Sequence, residues 1–151
     1  MTATLDDHVQ AWLTSQGKVG KNLIDYELVD HSDGNGPQIG YWNADKLGPK
    51  PTQAQLDSVA PQAELIAEER AQDVYSLTVQ DWLDATARHY DYSGIIAACS
   101  YVGSSNDLWN RQAIAFTEWR DAVWSAVIDV FEAGGAYPPL DDLPQPAIPE
   151  S

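Results

Sequence analysis

The sequence predicts a mainly α-helical protein that also contains a β-hairpin, which is an α+β fold. Apolar residues recur at helical spacing along most of the chain and alternate at strand spacing only near residues 23–43. With 44% apolar residues, a chain of 151 residues can bury a hydrophobic core. We expect an N-terminal helix and hairpin arm, followed by a bundle of about four helices.

The first predicted helix covers residues 4–16. Thr4 supplies a hydroxyl for the helix N-terminus, Asp7 places an acid in the first turn, and Gly17 provides a stop. The apolar side chains of this segment fall on one helical face: Leu5, Val9, Trp12 and Leu13.

A β-hairpin is predicted next. Ile24, Tyr26 and Leu28 alternate with other residues from Leu23 onward, and residues 38–43 resume a strand-like composition after a polar turn cluster. An isolated two-stranded ribbon is marginally stable in water, so its aromatic residues must pack on helices, another strand or another chain. These aromatic residues are Tyr26, Tyr41 and Trp42.

Prolines divide the hairpin from the helices that follow. Pro49 and Pro51 lack amide donors and cannot continue a helix or a strand ladder. Thr52 then opens a helix that Pro61 breaks or kinks, and Thr78 is predicted to cap a new helix.

The longest predicted helix runs from about Asp107 to Ala133, after a short buried helix near residues 95–101. Arg120 falls inside its apolar stripe, so we predict a structural charge in the core that reaches solvent along its stem or finds a carboxylate. The stripe comprises Trp109, Ala113, Phe116, Trp119, Val123, Val127, Val130 and Phe131.

The last segment is predicted to be extended, because residues 138–151 hold five of the nine prolines. Its apolar residues would favour docking on a surface: Leu140, Leu143 and Ile148. We therefore divide the chain into an arm of residues 1–50, a helical module of residues 51–137 and a tail of residues 138–151.

The charge of the chain excludes several classes of partner. With 23 acidic and 8 basic side chains, the net charge of −15 repels phosphate backbones and anionic lipid surfaces. No apolar run approaches the ~20 residues that a bilayer requires, and the first residues are acidic where a signal peptide would be basic. We expect a soluble, unexported protein without nucleic-acid or membrane partners.

No residue pattern indicates catalysis or metal binding. Residues 30–36 resemble a calcium loop, but neither register places ligands at the required positions. The three histidines lack metal-binding spacing, and the single Cys99 lies in an apolar run where a thiol is ordinarily inert. We therefore expect a protein that is not an enzyme, with no catalytic residues, metal or cofactor.

An excess of aromatic residues is the feature that remains. Six Trp, seven Tyr and two Phe exceed what a small core can enclose, and Trp and Tyr dominate protein–protein interfaces. The exposed-looking hairpin makes Tyr41 and Trp42 candidates for a partner-binding surface.

Two parts of the chain resemble a known group. The stretch Gln38–Thr52 is similar to a segment of small tailed-phage proteins that are encoded beside tail fibres, of the tail-fibre assembly or chaperone type. Stretches within residues 83–124, including Phe116–Trp124, are similar to the helical module of the same group. The resemblance covers about residues 23–143 and leaves the N-terminal helix outside.

This resemblance implies a protein that binds a tail-fibre polypeptide until the fibre trimerises. The expected partner-binding residues lie on the hairpin and its aromatic surface: Tyr26, Ile39, Tyr41 and Trp42. The expected location is the host cytoplasm during assembly, with retention in the virion tail as a further option. Two alternatives are a structural tail or baseplate component, and a cell-envelope glycan hydrolase that would need two carboxylates about 5 Å apart.

Overall fold

A computed structural model describes residues 2–34 and 36–150 and confirms the predicted fold class: the protein is mostly helical (57%) with one antiparallel hairpin. Asn35, within the predicted turn cluster, lies outside the described residues. The helices are α1 (Leu5–Ser15), α2 (Ala44–Leu47), α3 (Gln53–Asp57), α4 (Ala60–His89), α5 (Ile95–Cys99) and α6 (Asp107–Ala133). The strands are β1 (Tyr26–Val29) and β2 (Gln38–Trp42), and a 3-10 turn covers Leu140–Asp142.

The chain folds as two compact units, an N-terminal unit (Met1–Ala71) and a C-terminal unit (Gln72–Ser151), with the boundary inside α4. The N-terminal unit extends beyond residue 50 because Leu56 and Val59 pack with the apolar face of α1 in one core. The division into residues 1–50, 51–137 and 138–151 stays a prediction.

Helix α1 begins as its sequence predicts. The Thr4 hydroxyl oxygen accepts a hydrogen bond from the Asp7 amide, and the Asp7 carboxylate accepts one from the Thr4 amide at 2.7 Å. This reciprocal capping box satisfies two amide donors at the helix start. The buried face of α1 then packs with hairpin residues, including Tyr26 and Ile39.

The hairpin strands pair in an antiparallel register from Tyr26 opposite Trp42 to Val29 opposite Gln38. The register shifts between Glu27 and Leu28, where Gly40 forms a bulge in β2. A Cβ atom at Gly40 would lie 2.8 Å from the Val29 side chain, so glycine allows the two strands to approach closely.

Helix α4 differs from the prediction, which started a new helix at Thr78. The helix is continuous through this position, and the Thr78 hydroxyl donates to the Val74 carbonyl at 2.9 Å. A threonine inside a helix can satisfy its hydroxyl in this way, so a Thr in the sequence does not by itself mark a helix start. Pro61 lies in the first turn of α4, where its missing amide donor is tolerated.

The C-terminal unit encloses its own core between α4, α5 and α6. Helix α6 has the predicted bounds, and it ends where Gly134 adopts a left-handed conformation. Phe116 is fully buried and Trp119 nearly so, as the stripe predicts, whereas Trp109 is 46% exposed. Trp109 lies in the first turn of α6 and packs against Tyr101.

The proline-rich tail docks on the C-terminal unit, where Leu143 and Ile148 are buried in the core. Proline has no amide donor, so this segment offers mainly carbonyl acceptors to its neighbours. Side chains of α6 use them: the Trp119 indole donates to the Pro144 carbonyl, and the Gln112 amide donates to the Pro149 carbonyl, each at 2.8 Å. The predicted docking of apolar tail residues is therefore confirmed for Leu143 and Ile148.

Candidate functional site

Of the four residues predicted to bind a partner, Tyr41 is the one that is well exposed, at 49%. Tyr26 and Ile39 are buried in the core of the N-terminal unit, and Trp42 is partly buried against it. Tyr26 and Ile39 therefore belong to no exposed surface. Partner binding by the hairpin stays a prediction that rests on Tyr41 and Trp42.

The polar atoms of the buried aromatic residues have partners inside the N-terminal unit. The Tyr26 hydroxyl donates to Asp6 Oδ1 at 2.6 Å and accepts a hydrogen bond from Gln10 Nε2. Burial and the bond to Asp6 raise the pKa of Tyr26, so its phenol stays neutral. The Trp42 indole donates to the Gly48 carbonyl at 2.8 Å. These contacts fix the hairpin against α1.

Two backbone carbonyls of the hairpin also accept hydrogen bonds from outside the strand ladder. Lys50 Nζ donates to the Ile39 carbonyl at 2.6 Å, and the Leu23 amide donates to the Tyr26 carbonyl at 2.7 Å. A lysine beside a strand and a covered strand end both hinder pairing with another chain. The geometry therefore favours recognition through side chains over addition of a third strand.

The most exposed apolar side chains of the N-terminal unit lie in residues 18–25, here called the apolar loop. Val19 is 79% exposed, Leu23 is 80% exposed and Ile24 is 66% exposed. The sequence predicts strand structure from Leu23, but β1 begins at Tyr26, so the prediction is wrong for Leu23 and Ile24. Three large apolar side chains in six residues form a concentration that is typical of interaction sites.

Asp25 holds the C-terminal end of the apolar loop. Its buried carboxylate accepts hydrogen bonds from the Lys21 amide at 3.0 Å and from Lys46 Nζ at 2.7 Å. Its carbonyl accepts a hydrogen bond from the Asn43 amide at 2.9 Å. The bond from Lys46 and then that from the Lys21 amide lower the pKa of Asp25, despite its burial. The inward carboxylate explains why the strand starts only after this residue.

The N-terminal end of the apolar loop is attached to α1 and α2. Lys18 Nζ donates to the Leu47 carbonyl at 2.7 Å, and Gln10 Nε2 donates to the Gly20 carbonyl at 3.1 Å. A Cβ atom at Gly20 would lie 2.9 Å from Leu13 Cδ1, so this glycine allows the loop to approach the core. The backbone is fixed at both ends while the apolar side chains point to solvent.

Leu23 has a strained backbone conformation, with φ at +65°. A left-handed conformation costs a non-glycine residue about 1–2 kcal/mol, and such strain persists where the surroundings impose it. Asn22 Oδ1 and the Tyr26 carbonyl both accept hydrogen bonds from the Leu23 amide and so hold this conformation. In this conformation the Leu23 side chain is exposed to solvent.

Tyr41 lies at the same end of the hairpin as the apolar loop. Tyr41 pairs in the strand register with Glu27, which lies two residues after the end of the loop. The side chains of Tyr41 and Glu27 are both exposed to solvent. We refer to Val19, Leu23, Ile24 and Tyr41 together as the loop surface.

Arg120 is placed differently from the prediction of a charge in the core. Its side chain is 33% exposed, and its guanidinium pairs with the neighbouring Asp121 at 2.7 Å. The hydrogen bond to Asp121 raises the pKa of Arg120 above its usual value. The long side chain reaches solvent from a partly buried position and also finds a carboxylate, so both solutions expected for a charge on an apolar stripe are present.

The described residues contain no group of three or more His, Cys, Asp or Glu side chains that could hold a metal ion. Within the same part of the chain, no helix is both long enough and apolar enough to cross a membrane. Next to the loop surface, the carboxylate of Asp25 and the ammonium group of Lys46 form a structural ion pair at 2.7 Å.

Residues 21–68 match the family model described as XkdW protein, a phage-associated family. The match supports a phage protein. No curated protein and no solved structure matches the chain.

The XkdW match covers about a third of the chain, from Lys21 in the apolar loop through the hairpin, α2 and α3 into α4. It includes Leu23, Ile24 and Tyr41 of the loop surface. Helix α6 lies outside it, so the resemblance of residues 83–124 to a phage helical module stays a prediction.

Proposed function

We propose that this chain is a phage tail-fibre assembly protein that binds a fibre polypeptide and catalyses no reaction on it. The observation that carries the proposal is the apolar loop, in which three large apolar side chains are held in solvent by a fixed backbone. The XkdW match supports the phage context, and the fibre as partner is our inference. Binding takes place in the host cytoplasm during assembly.

The loop surface has the energetic properties of a binding site. Burying a Val, Leu or Ile side chain stabilises a complex by about 1.5–3 kcal/mol before the losses of association are subtracted. Ordering a mobile loop would add to those losses, but hydrogen bonds to Lys18, Gly20 and Asp25 already hold this one. A preorganised apolar loop therefore retains more of the burial energy as affinity.

The strain at Leu23 provides a test that separates binding from folding. Replacing Leu23 by glycine removes the left-handed strain and an exposed side chain, so we expect the free energy of unfolding to rise by about 0.5–1 kcal/mol. The same change should weaken binding to the fibre because it deletes an apolar contact. Urea denaturation measures the first effect, and co-purification of the co-expressed fibre measures the second.

A control is Ile128→Gln, which removes an apolar side chain that is 51% exposed on α6. Each variant is co-expressed with the tail-fibre gene of the same phage, and fibre yield, trimer content and complex formation are compared. We expect Leu23→Gly to lower all three and Ile128→Gln to leave them unchanged. If the wild-type protein forms no complex with the fibre and does not change trimer content, the proposed function is wrong.

A further inference from the structure

The C-terminal unit contains a cleft of about 570 Å³ that the proposed function does not use. It lies where the end of α4, the segment after α5, the first turns of α6 and the end of the tail meet. Three aromatic side chains and two carboxylates define its chemistry: Tyr92, Tyr101, Trp109, Asp91 and Glu150.

The aromatic side chains form a connected wall. The ring centroids of Tyr92 and Tyr101 are 5.5 Å apart, and those of Tyr101 and Trp109 are also 5.5 Å apart. Tyr101 is 40% exposed, so ring surface of this wall is open to solvent. Exposed aromatic faces attract cations and planar groups because the ring carries negative charge density on its faces.

The wall is held rigidly by contacts behind it. The Tyr92 ring packs edge-on against buried Phe116, with centroids 5.8 Å apart. The Tyr92 hydroxyl donates to Gln112 Oε1, and Gln112 Nε2 donates to the Pro149 carbonyl, each at 2.8 Å. This second bond fixes the tail next to the cleft and places Glu150 at its edge.

The cleft has a negative electrostatic character. Asp91 and Glu150 are exposed, and neither forms an ion pair with a described residue. The lining includes the imidazole of His89 but no lysine or arginine. Asp91 and Tyr92 lie two and three residues beyond His89, the last residue of α4, and the dipole of this helix adds negative potential there.

We infer that this cleft binds the guanidinium group of an arginine side chain in a polypeptide partner. A guanidinium is planar and stacks on aromatic rings, and its fork of donors pairs with carboxylates. The aromatic wall and the two carboxylates supply these two interactions. A lysine ammonium would gain the charge attraction but less of the stacking.

The polar groups of the cleft favour a cation over a sugar. Sugar hydroxyls need both donors and acceptors, but the buried Gln112 amide already binds Tyr92 and Pro149. When ionised, the carboxylates of Asp91 and Glu150 can only accept hydrogen bonds, which matches a guanidinium because that group can only donate them.

The inference can be tested with blocked tripeptides, Gly-Arg-Gly and Gly-citrulline-Gly, titrated into the full chain and followed by two-dimensional NMR. Citrulline has nearly the shape of arginine but carries no charge. We expect the arginine peptide to bind about tenfold more tightly and to shift the indole resonance of Trp109. Because this comparison uses the wild-type protein, it does not depend on the folding of any variant.

Two variants separate the cleft from general charge attraction. Asp91→Asn combined with Glu150→Gln should weaken arginine-peptide binding about tenfold. Asp129→Asn combined with Glu132→Gln removes the same charge about five turns further along α6 and should leave binding unchanged. Equal binding of the two peptides, equal effects of the two double variants, or saturable binding of chitotriose in place of the arginine peptide would each overturn the inference.

Discussion

Replacing Phe116 by alanine is expected to lower the free energy of unfolding by about 3–5 kcal/mol. Phe116 is fully buried in the C-terminal unit, and its ring lies 5.6 Å from that of Tyr90 and 6.2 Å from that of Trp119. Alanine would leave a cavity between α4 and α6 and would remove both ring contacts. Urea denaturation followed by tryptophan fluorescence measures the loss.

A more conservative comparison is Phe116→Leu, which keeps most of the buried apolar surface and should cost less than about 1.5 kcal/mol. A second comparison is Ile114→Ala, because Ile114 is exposed on the same helix. Its removal should change stability by less than about 0.5 kcal/mol. A denaturation midpoint for Phe116→Ala equal to that of the wild type would contradict the described core.

Local signals explain why the helix ends could be predicted from the sequence. Thr4 and Asp7 form a capping box within one turn, and Gly134 terminates α6 in a left-handed conformation. Both depend on neighbouring residues alone. Thr78 carries the same local signal but lies inside a helix, because the residues before it form helical contacts that a short window does not reveal.

The candidate site was less predictable because it depends on distant contacts. Ile24 alternates with Tyr26 and Leu28 as a strand residue would, so the pattern places it on the core face. The structure instead turns Asp25 inward to Lys46, 21 residues away, and this contact moves Ile24 into solvent. The alternation of apolar residues along the sequence carries no information about such an ion pair. The end of the apolar loop could therefore not be distinguished from a strand.

Asp7 combines a local and a distant contact. The sequence indicates its place in the first turn of α1, but not its partner Arg70, whose Nη2 lies 2.8 Å from Asp7 Oδ2. The same carboxylate oxygen accepts hydrogen bonds from the Thr4 amide and hydroxyl, each at 2.7 Å. One buried carboxylate thus joins the start of α1 to α4 within the N-terminal unit.

Replacing Asp7 by alanine is therefore expected to lower the free energy of unfolding by about 2–4 kcal/mol at neutral pH. About 1 kcal/mol of this loss comes from the helix cap. The rest comes from the loss of charge-assisted hydrogen bonds to the Asp7 carboxylate, which leaves the Thr4 amide without its acceptor. Arg70→Met should cost only about 0–1 kcal/mol, because the Arg70 side chain is largely exposed and solvent screens its charge.

The effect of Asp7→Ala should depend on pH with a defined sign. Burial raises the pKa of Asp7, but the bonds from Thr4 and Arg70 outweigh it and hold the pKa below the ordinary value of 3.8. The unfolded chain therefore binds a proton at Asp7 before the folded chain does. The stability that the ionised carboxylate contributes is fully present above the unfolded pKa and is lost as the pH falls through the lower, folded pKa.

Urea denaturation of the wild type and of Asp7→Ala at a series of pH values measures this dependence. We expect the difference in stability to be constant above about pH 5 and to narrow as the pH falls below 3.8. Asp129→Asn, at an exposed position of α6, should follow the wild-type curve throughout. A difference that stays constant down to pH 2 would show that the carboxylate charge does not stabilise the fold, and that alanine acts there through packing alone.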